Sequence, residues 1–213
     1  FMAALVFTGV WVVVIELNFG SGAASLLAGA CSVLAALKLA AIWLVPRQTT
    51  EAWRKGADGE LLTAQVLSKL PPSYVTLHDL PMPGSKANID HLVIGPTGAF
   101  TVETKNYSEP MQVSRGSVQA AGRTLAPVVE QAKGQASAVS AALGQSVLPI
   151  VCAQGAGIDS GLFSKRMVNG VQFCIGRRLN DHITSGIAKL SAAQVEALAE
   201  AASERFKGPT RAC

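Results

Sequence analysis

Apolar positions crowd the start of the chain, and alternation of apolar with polar residues sets in only after them. Residues 1–45 carry just two charges, Glu16 and Lys38. The stretch divides at Asn18 to Gly22 into a run over residues 1–17 and a second over residues 23–45. The second run exceeds the roughly 20 residues that a helix needs to span a bilayer. Joined through Gly20, Ser21 and Gly22, the two would make a transmembrane helical hairpin over residues 1–46. Arg47, Arg54 and Lys55 follow the second run while the turn has no Lys or Arg, so the positive-inside rule predicts a two-pass protein of the cell (inner) membrane. Its C-terminal domain, residues 47–213, would then be cytoplasmic. A cleaved signal peptide fits less well, because no basic residue precedes the first run. Lys38 lies close enough to the cytoplasmic end of its run for its stem to reach the headgroups. The start at Phe1, ahead of Met2, leaves room for residues upstream.

Beyond Pro46 the pattern is that of a folded domain. Residues 51–70 read as a helix stopped by Pro71 and Pro72, with Trp53, Ala57, Ala64 and Leu67 on one face and Glu60 in the middle of it. A carboxylate there either reaches solvent at the helix edge or serves a site on the neighbouring element. Residues 74–77 form a short strand candidate, and residues 80–86 are rich in turn formers. Two apolar runs flanking Gly95, Pro96, Thr97 and Gly98 predict a β-hairpin over residues 88–105. A further strand is expected over 112–118. Pro127 opens a helix to Leu143 with Gly144 as its stop, and Gln131, Gln135 and Ala138 share one side of it. Residues 147–152 and 170–175 are continuous apolar runs of the buried-strand kind. Residues 191–206 form an amphipathic helix, with Ser191 and Gln194 spaced as a capping box. That order of elements is α/β or α+β.

The hairpin carries the candidate chemistry. If Ile94 pairs with Ala99, the ladder counts back to Asp90 opposite Glu103, and Lys105 shares the face of Glu103 because side chains two apart project to the same side. Two facing carboxylates repel unless a cation lies between them, and hard oxygen donors select Mg²⁺ or Mn²⁺. Such an ion polarises a phosphoryl oxygen and lowers the pKa of a bound water, which is how phosphodiesters are hydrolysed at neutral pH. Lys105 would stabilise developing charge and Glu60 would add a ligand or hold a water. The same spacing also suits a solvated cross-strand ion pair worth about 0.2–1 kcal/mol. His91 falls on the opposite face from Asp90 and reads as structural. His78 and His182 have no sequence partners that suggest a site.

Charge and cysteines add little. From Glu51 onward 16 Lys and Arg stand against 13 Asp and Glu, a mild basic excess compatible with nucleic acid but requiring no large basic face. Cys31, Cys152, Cys174 and Cys213 show no metal-ligand or disulfide spacing and read as free thiols of a reducing compartment. No internal repeat or phosphate-cradling glycine loop is visible.

Taken together, these stretches resemble the nuclease-related domain, NERD, a branch of the PD-(D/E)XK nuclease superfamily. The resemblance rests on Trp53, Lys55, Gly56, Ala57, Gly59 and Glu60; on Leu77, His78, Asp79 and Leu80; on Asn88 to His91 with Ile94 to Gly98; on Val102 to Tyr107; and on Pro127 and Gln131. It covers about residues 50–145 well and the C-terminal third loosely. It implies a restriction-endonuclease-like fold, a mixed central sheet flanked by helices. It also implies a catalytic set of Asp90, Glu103 and Lys105, with Glu60 and Gln131 as auxiliary positions and Asp90, Glu103 and Glu60 as metal ligands. Ile89 stands where the wider superfamily has proline, a change that NERD-like sequences share.

Three functions follow. The first is a membrane-anchored, Mg²⁺- or Mn²⁺-dependent nuclease acting on DNA or RNA. The second is a catalytically inactive, membrane-tethered nucleic-acid-binding or signalling module that keeps the scaffold. In the third, a membrane assembly protein, the hairpin helices do the work. No base-reading motif distinguishes DNA from RNA, and nothing in the sequence specifies oligomeric state.

Overall fold

The computed structural model describes residues 21–82, 87–114, 116–159 and 166–207. The chain divides into two compact units, Phe1–Arg54 and Lys55–Cys213. The expected first span, residues 1–17, lies outside the described residues. Residues 23–45 are helical within α1 (Ser21–Leu67). The break expected at Pro46 is absent, since α1 continues through it. One proline withholds a single N–H and displaces a single carbonyl, losses that a helix of this length tolerates. Leu26, Val33, Leu34 and Leu37 are exposed on the first unit. Among the described residues no helix is long and apolar enough to cross a membrane.

The second unit is mixed α/β. Its main sheet runs in the order β1 (Val75–Pro81), β2 (Asn88–Gly95), β3 (Gly98–Tyr107), β7 (Val147–Gly155), β10 (Val171–Ile175), β9 (Arg166–Val168). The sheet is antiparallel from β1 to β3, parallel across β3, β7 and β10, and closed by antiparallel β9. A smaller sheet orders β6 (Arg123–Thr124), β5 (Ser117–Ala120), β4 (Met111–Ser114), β8 (Ile158–Asp159). Where one strand was expected over 112–118, β4 and β5 form a hairpin, turning at Gly116 with φ 76°. A positive φ of that size is free only for glycine, so the chain reverses there.

Helices cover both faces of the main sheet. On one side α2 (Ala126–Leu143) and α4 (Ala192–Arg205) pack through Ala136, Val139, Val195 and Ala202 on Leu92, Ile94 and Ala99. On the other, Leu67 of α1 and Leu179 and Ile183 of the short α3 (Leu179–Thr184) pack on Val93, Phe100, Val102 and Ile150. Gly144 ends α2 in the left-handed conformation at φ 62°, and Ser191 and Gln194 close the expected capping box on α4. The buried stripe of α1 differs from the expected one. Gly59, Thr63 and Leu67 face inward, whereas Trp53 is 79% exposed and Ala57 and Glu60 are exposed too. Small and hydroxyl side chains pack this helix tightly, and a search for large apolar residues passes over them.

Candidate active site on the central hairpin

The hairpin has the expected register. Ile94 pairs with Ala99 and His91 with Val102, so the next step of the ladder sets Asp90 beside Glu103. Pro96 and Thr97 form the turn, and Thr97 is fixed there by hydrogen bonds between its Oγ1 and both Tyr74 Oη (3.0 Å) and the Ile183 carbonyl (2.6 Å). The Tyr74 ring lies directly on Gly95, where a Cβ would come within 2.0 Å of it.

Glu103 is 2% exposed and its carboxylate is gripped from two elements. Oε1 accepts from Lys105 Nζ at 2.5 Å and from Gln131 Nε2 at 2.8 Å. Oε2 accepts from Gln135 Nε2 at 2.6 Å, and the same nitrogen reaches the Asn88 carbonyl at 3.2 Å. Gln131, which is exposed, and Gln135, which is buried, stand one turn apart on α2, which is why both reach one carboxylate. A carboxylate removed from water needs this many donors to stay charged. Burial pushes the Lys105 ammonium down, but the charge and hydrogen bond of Glu103, with Asp90 and Tyr107, more than offset it and hold Lys105 above its usual value.

Asp90 is half-buried, and its Oδ2 accepts the Thr104 N–H at 2.7 Å. Burial first and the Glu103 charge second raise its pKa to about 7, with Glu60 adding to the rise. The Thr104 hydrogen bond and Lys105 oppose it. Glu60, on α1, is also raised, by burial and then by Asp79 and Glu103, against the opposing Lys105. Four acidic side chains therefore feel one another here. Among the described residues, however, no three His, Cys, Asp or Glu form a ready metal cage.

On the opposite face His91 is buried, as expected, but His78 has a partner that its sequence context did not suggest. The two histidines are opposed across β1 and β2, with Nδ1 atoms 2.8 Å apart and rings edge to face at 5.0 Å. Burial and then His78 lower the His91 pKa to about 4. From His91 the polar contacts continue to Thr104 Oγ1 (3.4 Å), from there to Thr63 Oγ1 (3.1 Å), and from Gln154 Nε2 to Thr63 (3.0 Å). Thr104 thus joins this row through its hydroxyl while its N–H holds Asp90. Sequence patterns alone did not single out Gln135 or Asp79 as site residues. The i, i+4 spacing of Gln135 from Gln131 was a signal for the first. The second needs the β1 pairing to be known.

Residues 55–155 match the family model of the nuclease-related domain, NERD. That span runs from the inward end of α1 to the end of β7 and takes in Glu60, Asp90, Glu103, Lys105, Gln131 and Gln135. The chain is also 51% identical over 57 residues to an uncharacterized protein of Bacillus anthracis, across 25% of this chain and 27% of that protein. The chain therefore spans about a quarter of the length of that relative. No solved structure matches it.

Proposed function

We propose that the second unit is a metal-dependent nuclease of the PD-(D/E)XK superfamily with a restriction-endonuclease-like scaffold, hydrolysing phosphodiester bonds of DNA or RNA. The observation that carries the reading is the buried Glu103 carboxylate, held by Lys105, Gln131 and Gln135 beside an Asp90 whose ionisation is opposed by burial first and by the Glu103 charge second. The nuclease-related match over the same residues supports it.

The donor set fits Mg²⁺ or Mn²⁺. Hard carboxylate oxygens are present, and Mg²⁺ often takes only one or two carboxylates with waters and substrate phosphate completing its shell. Asp90 and Glu103 would hold the ion, with Glu60 contributing from the flank through water. When bound, the ion would polarise the phosphoryl oxygen and acidify a water. Gln131 and Gln135 orient the Glu103 carboxylate. Lys105, charged throughout the neutral range, offsets negative charge that builds up on the phosphoryl group.

The decisive experiment is cleavage of labelled single- and double-stranded DNA and RNA by the detergent-solubilised full chain with Mg²⁺ or Mn²⁺. Glu103→Gln, which keeps the shape of the side chain, and Asp90→Asn run beside it. Metal-dependent cleavage lost in both variants is the expected result. A folded chain that cuts none of the four substrates would sink the reading. The full set of partners already on Glu103 favours, in that event, a tethered module that binds nucleic acid or a signalling partner without metal.

The apolar N-terminal segment would anchor the protein in the cell membrane with the nuclease unit cytoplasmic, as the basic residues Arg47, Arg54 and Lys55 after it suggest. Alkali-resistant sedimentation with membranes, lost on deleting residues 1–46, is the expected behaviour. Release of the intact chain by alkali would count against the anchor.

A further inference from the structure

A second feature lies at the carboxyl ends of the parallel strands. Beyond β7 and β10 the chain encloses a cleft of about 250 Å³, lined among others by Ala153, Gly155, Gly157, Ile175, Gly176 and Arg177. The carboxyl end of a parallel sheet is where α/β folds habitually place ligands. This cleft adjoins the candidate site, because Ala153 is the register partner of Lys105 and Gly155 that of Tyr107.

Three of its lining residues have no side chain, and packing requires that. A Cβ on Gly176 would lie 2.5 Å from the amide atoms of Gln154, and one on Gly155 would lie 2.5 Å from Asn106 Oδ1. Gly155 and Gly157 also hold φ of 65° and 75°, so the β7 exit folds back tightly with no side chain at either position. Among the described residues that line the cleft, Arg177 carries the one formal charge and none is acidic. Its neighbour Arg178 is paired to Asp181 at 2.9 Å, whereas Arg177 enters no ion pair among the described residues. A glycine-rich lining and one guanidinium outside any ion pair among the described residues suit a phosphate, whose oxygens the planar fork grips two at a time.

We infer that this cleft holds a backbone phosphate of the nucleic-acid strand whose neighbouring phosphodiester lies at Asp90, Glu103 and Lys105, with Arg177 as its anchor. The inference rests on the nucleic-acid reading above and adds the place where the strand is gripped. Strands lie about 4.8 Å apart, so the end of β10 is about 10 Å from the line of β3. A polynucleotide crossing the ends of β3, β7 and β10 meets Lys105 and then Arg177. A phosphate contact fixes position without reading sequence, in keeping with the absence of a base-reading motif.

The test uses the detergent-solubilised full chain and fluorescein-labelled oligonucleotides in EDTA, where cleavage is blocked, with Kd followed against NaCl by anisotropy. Arg177→Gln should weaken binding roughly three- to tenfold for every sequence and reduce the salt slope by about 1. Arg177→Lys should recover part of both, and Arg178→Gln should change neither. An unaltered Kd and slope in Arg177→Gln overturns the inference. So does Arg177-dependent calorimetric binding of free inorganic phosphate that leaves oligonucleotide binding unaffected. If the chain cleaves but Arg177→Gln binds normally, the cleft fails and the nuclease stands. Arg177-dependent binding without any cleavage keeps the cleft and removes the nuclease.

Discussion

Glu103 concentrates the energetics of the site in one side chain. Gln135 donates to it from a position that is 1% exposed, so Gln135→Ala withdraws a buried donor from a buried charge. The variant should lose about 1–3 kcal/mol of stability in urea denaturation. Gln131→Ala, on a more exposed side chain, should lose less. Asp90 and His91 set up a second expectation. Asp90 has its pKa raised from 3.8 to about 7, so between those values the native state holds more protons than the unfolded one, and this group lowers stability as pH rises. His91 has its pKa lowered from 6.5 to about 4, so the unfolded state holds more protons, and this group raises stability as pH rises through that window. The two slopes oppose each other. Urea midpoints of the unaltered chain should therefore vary gently between about pH 4 and 6.5. Asp90→Asn should be more stable at pH 8 and should lose stability steeply on acidification, because only the histidine slope remains.

Among the elements, α1 and β3 approach closely beside the site. Asn106 follows Lys105, donates from Nδ2 to the Lys55 carbonyl at 2.8 Å, and leaves no room for a Cβ on Gly59, which would come within 2.7 Å of its own Cβ. Gly59→Ala should cost about 1–3 kcal/mol despite the better helix propensity of alanine. Pairing it with Asn106→Gly should cost less than the two separate changes summed, a coupling that a double-mutant cycle in urea would read. This contact also shows what was legible in the sequence. Strand periodicity and two glycines around Pro96 and Thr97 set the hairpin register, and with it the meeting of Asp90, Glu103 and Lys105. Helix punctuation at Pro127, Gly144 and Ser191 was equally plain, because caps and breakers act locally. The inward stripe of Gly59 and Thr63 was hidden, since no apolar period marks it. The facing of His78 and His91 and the lining of the cleft beyond β7 depend on which strands pair over long distances, and neither periodicity nor spacing carries that.

For the whole molecule, ion binding and folding become linked. A divalent cation bound at Asp90 and Glu103 would favour the native state, by about 2.7 kcal/mol at a hundred times its Kd. Thermal melts of the full chain should shift upward with Mn²⁺, more at pH 8 than at pH 6, where Asp90 retains its proton, and Asp90→Asn should abolish the shift. The order of strands has a temporal consequence as well. β2 and β3 are joined by a two-residue turn, but Glu103 meets its parallel neighbour Val151 only 48 positions later, after β4 to β6 and α2 have intervened. Local hairpins close in microseconds, whereas distant parallel pairing waits for a long loop to be drawn in. A newly made chain thus brings its carboxylates together before β7 and the glutamines of α2 are in place, and the centre passes from hydrated to enclosed only at the last stage of folding.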